Sequence, residues 1–216
     1  MSSINPEILA KAIKHFADHD PSRDEQTLIA LFLQSLITSN ATVLSKIIAA
    51  KMDWLPFRFI HEQYYKEMEL ISLLAKSTEW SMNPQVYAKA GALNLKFMQK
   101  TKITQYMMGQ FMNELDFYEY LALSHGMMSQ IRFIPLLPSS KVLDTPFLST
   151  LNEIEVNNGR LIQTQIRFLK DIEIALTLDQ REEIVERNAV IMTELFGDVL
   201  TMLFDFKAPV PQAQSS

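Results

Sequence analysis

Residues 22–48 read SRDEQTLIALFLQSLITSNATVLSKII, and the reading of this stretch decides the fold class. Ser22 and Glu25 stand at capping-box spacing: the serine hydroxyl can take a backbone N–H of the first helical turn while the glutamate reaches back to the serine N–H. Behind that start, Leu28, Leu31, Phe32, Ser35 and Leu36 recur at three- and four-residue intervals, the period of an α-helix and not of a strand. Asn40 then reads as the cap of a further helix through Val43, Leu44, Ile47 and Ile48.

The same punctuation continues on both sides. Asn5-Pro6-Glu7 opens a helix that should stop near His19, because the residue before Pro21 avoids the α region. Asp53-Trp54-Leu55-Pro56 starts an aromatic helix through Phe57, Ile60, Tyr64, Met68, Ile71 and Leu74. Asn83-Pro84 restarts the pattern, and no strong breaker follows before Pro135, so 84–132 is one long helix or two stacked ones, with Gly91 and Gly109 as bends. The segment 134–144 is the best candidate for an internal boundary. Thr145-Pro146 opens the next helix, Asn157-Asn158-Gly159 is expected to break it, and Thr177-Leu178-Asp179-Gln180 launches a last helix to about Phe206. Trp54 and Trp80, each ahead of a proline-started helix, are expected to staple those starts to the core. No long run alternates with period two. The prediction is a single all-α domain over 1–206, an antiparallel bundle of about seven or eight helices, followed by a disordered tail at 207–216 rich in Pro, Ala, Gln and Ser.

Composition narrows the functions open to such a fold. The chain is 48% hydrophobic and 21% charged, which is enough to bury a core. It has no cysteine, so disulfides, thiolate metal sites and a thiol nucleophile are ruled out. The net charge of −5 is uneven: residues 1–100 carry 11 Lys/Arg against 10 Asp/Glu, and residues 101–216 carry 9 against 15. Without a dense basic run, nucleic acid is not an expected partner. The first residues lack a basic region followed by an apolar one, and the most apolar windows are read as interrupted by carboxylates. The expectation is therefore a cytoplasmic protein with neither signal peptide nor membrane span.

Catalytic and metal constellations fail on spacing. His15 and His19 lie four apart, but in the last turn of their helix, where a solvated cation meets the negative helix end. No Glu-x-x-His occurs, so the di-iron carboxylate pattern is missing. Glu119 and His125 point about 120° apart on a helix, and Glu114 and His125 share a face but are separated by roughly 16 Å of rise. His61 reads as a partly exposed helix residue. No cofactor is expected. The chain resembles no all-α family of its size on motif residues. Residues 4–51 lack the glycine turn of helix-turn-helix repressors, and the acidic-Pro-His pattern of respiratory-enzyme assembly chaperones is missing.

Two segments remain. From Ile103 to Ile131 there is no Lys or Arg, and the stretch is dominated by Met and aromatic residues. It reads as a central core helix whose Met107, Phe111, Glu114, Tyr118 and His125 form the candidate lining of a pocket for an apolar small molecule. In 189–206, Glu194, Asp198, Thr201 and Asp205 make a narrow polar stripe on an otherwise apolar helix. Leu195, Val199, Met202 and Phe206 are the candidate interface for a second copy or another protein. The leading functional expectation is a non-enzymatic interaction protein acting through a Met- and aromatic-rich surface. The alternative is a helical bundle binding an apolar ligand, and an enzyme of unfamiliar type ranks third.

Overall fold

The Ser22–Glu25 box forms reciprocally. The Ser22 backbone N–H donates to Glu25 Oε2 at 2.8 Å, and the Glu25 N–H donates to Ser22 Oγ at 3.3 Å. The computed structural model describes residues 6–7, 10–11, 14, 20–49, 57–110, 116, 119–120, 123–124, 145–171 and 178–203. Within these, six helices run in the order α1 (Arg23–Ala49), α2 (Phe57–Ser77), α3 (Pro84–Lys100), α4 (Ile103–Met107), α5 (Pro146–Asp171) and α6 (Leu178–Leu203). No strand occurs among the described residues, and the fold is all-α.

α1 is the central element. It packs against α2, α3, α4 and α6, while α2 also meets α5 and α3 also meets α6. Leu28, Leu33, Leu36, Ile37 and Val43 are fully buried, so apolar groups cover most of its circumference. By length and composition α1 could cross a bilayer, contrary to the expectation from charge interruption, since residues 26–45 carry no charge. Its most apolar window is 72% buried inside the chain, the burial a core helix requires.

Hydrogen bonds set the registers. Asn40 meets Glu67, Gln26 meets Glu79 and Thr27 meets Ser81, so α1 and α2 run in opposite directions. Asp24 meets Asn83 and Ser35 meets Asn94, so α1 and α3 run the same way. Lys96 with Asp198 and Lys100 with Glu194 make α3 and α6 opposed.

Several boundaries follow the sequence. Asn83 caps α3, accepting from the Gln85 N–H at 3.1 Å with Pro84 in the first turn, and α5 starts at Pro146. Others differ for identifiable reasons. α1 continues through Asn40, whose side chain is taken by α2 rather than by a helix start; Thr42 and Ser45 fold their hydroxyls back onto Thr38 and Thr42 carbonyls, and no Gly or Pro interrupts the run. α5 continues through Asn157-Asn158-Gly159, so the modest helix cost of those residues is overridden by burial of Leu151 and Ile154. Gly91 lies inside α3, whereas Gly109 ends α4 with φ 74°. The Gly109 N–H donates to the Tyr106 carbonyl and the Gln110 N–H to the Gln105 carbonyl, which together form a Schellman motif. The expected helix across 103–131 therefore stops after one and a half turns. The described residues 116, 119–120 and 123–124 are helical beyond it. The candidate boundary at 134–144 and the tail at 207–216 lie outside the described residues.

Gly91 and Gly109 should respond in opposite senses to alanine. A methyl at Gly91 meets nothing within 4 Å, and Gly91→Ala is expected to raise stability by up to about 1 kcal/mol. Gly109→Ala must hold a left-handed backbone and should lower stability by about 1 kcal/mol. Urea denaturation of both variants checks the contrast.

Candidate functional site

The described core contains two connected polar clusters. The first is centred on Glu67, which sits mid-way along α2 at 1% exposure. Its Oε1 accepts from Asn40 Nδ2 on α1 and from Gln63 Nε2 one turn earlier, while Oε2 is buried without a hydrogen-bond partner among the described residues. Asn40 Oδ1 accepts in turn from the Tyr120 hydroxyl at 2.5 Å and from Ser124 Oγ at 3.1 Å. One asparagine amide therefore joins α1, α2 and the 119–124 segment. Burial pushes the Glu67 carboxyl up to about 8, against the pull of its hydrogen bonds from Gln63 and Asn40, so it carries its proton at neutral pH. Burial, reinforced by Glu67, likewise holds the Tyr120 phenol protonated.

The second cluster lies one residue along, at Glu119. Its Oε1 accepts from Arg187 Nη2 at 2.7 Å, and its Oε2 accepts from Lys102 Nζ at 2.6 Å and from the Tyr106 hydroxyl at 3.1 Å. Burial would raise this carboxyl, but the hydrogen bonds from Lys102 and Arg187 together outweigh it and hold the group ionised below its ordinary value. Burial and the neighbouring Glu119 push the Tyr106 phenol upward. The rings of Tyr106 and Tyr120 pack edge to face with centroids 5.9 Å apart, joining the two clusters. The contrast is set by charge. Glu119 has two cations and stays ionised; Glu67 has only amides and stays neutral.

A cleft of about 270 Å³ opens over the second cluster, walled by Lys102, Tyr106, Glu119, Leu123, Arg187 and Ile191 among others. A separate open groove of about 300 Å³ runs past Leu31, Thr38, Asn94, Met98 and Met107. Beside them, Lys96 and Lys100 of α3 bridge to Glu194 and Asp198 of α6, and Lys100 and then Lys96 lower the Glu194 carboxyl. No group of three or more His, Cys, Asp or Glu able to hold a metal occurs among the described residues.

No family model, curated protein or solved structure matches this chain.

Of the candidate pocket residues, Met107 is half-buried and lines the open groove rather than the cleft; Phe111, Glu114, Tyr118 and His125 lie outside the described residues. The 103–131 segment does line a cleft, but with Tyr106, Glu119 and Leu123 and with polar partners. Leu195 and Val199 are fully buried in the chain's own core, and the partly buried Met202 packs against it. Phe206 lies outside the described residues. The Glu194–Asp198 stripe is the seam with α3. Trp80 is 37% exposed, with its indole N–H donating to the Ala75 carbonyl, so it is not a core staple; Trp54 lies outside the described residues.

Asn40, Gln63 and Glu67 were missed, although a signal existed. Gln63 and Glu67 share the apolar stripe of Ile60, Tyr64, Ile71 and Leu74, and a carboxylate on a core-facing stripe needs donors from elsewhere.

The buried carboxyl makes stability depend on pH in a fixed direction. A folded-state value near 8 against an ordinary 4.5 means the folded chain binds the proton more tightly, so the contribution is complete below about 4.5 and is lost as pH rises to about 8. The loss is on the order of 4 kcal/mol. Glu67→Gln keeps the shape without the titration and should remove this part of the pH slope. Urea denaturation of both proteins at pH 5 and pH 8 measures the difference; equal slopes would contradict the assignment.

Proposed function

We propose that this chain is a non-enzymatic interaction protein, acting in the cytoplasm through a rigid apolar corner between α2 and α3. The observation that carries the reading is the exposure of Met82 at 94%, Tyr87 at 44% and Trp80 at 37% within eight residues of chain. Both rings are tethered by their polar ends: Trp80 Nε1 donates to the Ala75 carbonyl and the Tyr87 hydroxyl donates to the Ser81 carbonyl. Ser81 is itself held by Thr27 and Asp24 of α1. Aromatic rings fixed in this way lose little side-chain freedom on docking, and Trp and Tyr are the side chains that most often dominate binding energy. The exposed Arg23–Glu79 ion pair supplies a polar rim, the arrangement of apolar centre and charged edge found in protein interfaces.

The reading includes an antiparallel bundle of seven or eight helices, counting helices at the N-terminus and around 111–131. It places the partner on the corner rather than on α6, because Leu195 and Val199 already fill the core of this chain. In this reading α1 serves as a buried core helix and not as a membrane span.

A second reading, ligand binding, is favoured by the cleft over Glu119.

The test is native mass spectrometry of the protein purified gently from its own host, with Met82→Glu alongside. A protein that co-purifies with the native chain should be lost from the variant, while the melting temperature stays the same because Met82 is almost entirely in solvent. A partner retained by Met82→Glu, or a bare monomer from native cells, would contradict the reading.

A further inference from the structure

The cleft over Glu119 has a charge and a shape that the interaction reading does not use. Lys102 and Arg187 converge on the Glu119 carboxylate, and Asp116 adds a second negative charge near enough to act on the Tyr106 hydroxyl. Both oxygens of Glu119 are already engaged. Each cation spends one donor on it, and both remain about half exposed, with side-chain exposures of 48% and 47%. An ammonium has three N–H donors and a guanidinium five, and no other acceptor meets either among the described residues. Glu119 thus acts as a buried tether for two half-exposed cations that keep donors to spare. Leu123 and Ile191 supply the apolar part of the cleft lining, and Asn188 fixes its Nδ2 on the Ile184 carbonyl. The volume of about 270 Å³ lies just under the range of small-molecule sites.

We propose that this cleft binds a small organic monocarboxylate, its carboxylate between Lys102 and Arg187 and its short apolar body against Leu123 and Ile191. The planar guanidinium fork matches a carboxylate. The apolar wall distinguishes this class from inorganic phosphate.

The experiment is a titration of the full chain, ¹⁵N-labelled, with hexanoate, acetate and inorganic phosphate in separate arms, followed by NMR. Hexanoate is expected to shift the amides of Lys102, Asn188 and Ile191 saturably. It should bind more tightly than acetate or phosphate and weaken as salt rises. Arg187→Gln should weaken hexanoate about tenfold or more. Because that change also loosens Glu119, Gln99→Glu is the second variant. Gln99 is exposed on the cleft wall and takes no part in the Glu119 cluster, so a negative charge there should weaken hexanoate and leave the fold intact. Absence of saturable shifts at those amides would overturn the proposal, as would unchanged affinity in Gln99→Glu. Phosphate binding as tightly as hexanoate would also overturn it, making the cleft a general oxyanion site.

Discussion

A carboxyl group buried between helices must either find a cation or keep its proton, and Glu67 keeps its proton. Its donors are amides, Asn40 from α1 and Gln63 from its own helix. Asn40 turns its other end to Tyr120 and Ser124. Apolar packing among α1, α2 and the 119–124 segment is non-directional and would tolerate a slip of a turn. The amide does not, because a slip would leave Glu67, Asn40 and Tyr120 without partners in a dry interior, at roughly 1–3 kcal/mol for each unsatisfied group. Buried polar groups used to fix register are well attested in helical assemblies, and this network has the composition for that role.

With Tyr120 fixed, its neighbour Glu119 is held, still buried, where the half-exposed Lys102 and Arg187 reach it. The route from sequence to cleft is short: one asparagine sets one helix segment, which sets one carboxylate, which tethers two cations. The α3–α6 seam of Lys96 and Lys100 with Glu194 and Asp198 runs beside it and holds the far wall. These seam charges are 32–44% exposed, so they contribute less to stability than to the choice of which faces meet. The Trp80–Met82–Tyr87 corner is a separate product of the same helix α1, since Asp24 and Thr27 anchor the Ser81 turn that presents it.

The all-α class, the helix starts at Ser22, Asn83 and Pro146, and the beginning of α6 were legible because each rests on short-range chemistry: a cap, a proline, a period of 3.6. Stops were less legible. Asn40 looks like a breaker locally, but partners far along the chain keep it inside a helix, and no local rule names a partner 27 or 80 residues away. Gly109 was readable as a special position, yet only the hydrogen bonds of Gln110 and Gly109 show that it ends a helix. Leu195 and Val199 were correctly seen as apolar, but periodicity cannot distinguish a face covered by the same chain from one awaiting a second copy. Lys102, Glu119 and Arg187 are scattered over 86 residues and became a site only through folding.

The central claim is that Asn40 couples helices through its hydrogen bonds rather than merely filling space. A double-mutant cycle on Asn40→Ala and Tyr120→Phe, read by urea denaturation, tests it most directly. A coupling energy of about 1 kcal/mol or more is the predicted result. Additivity within about 0.4 kcal/mol would contradict it, leaving the buried amide a passenger in an apolar core.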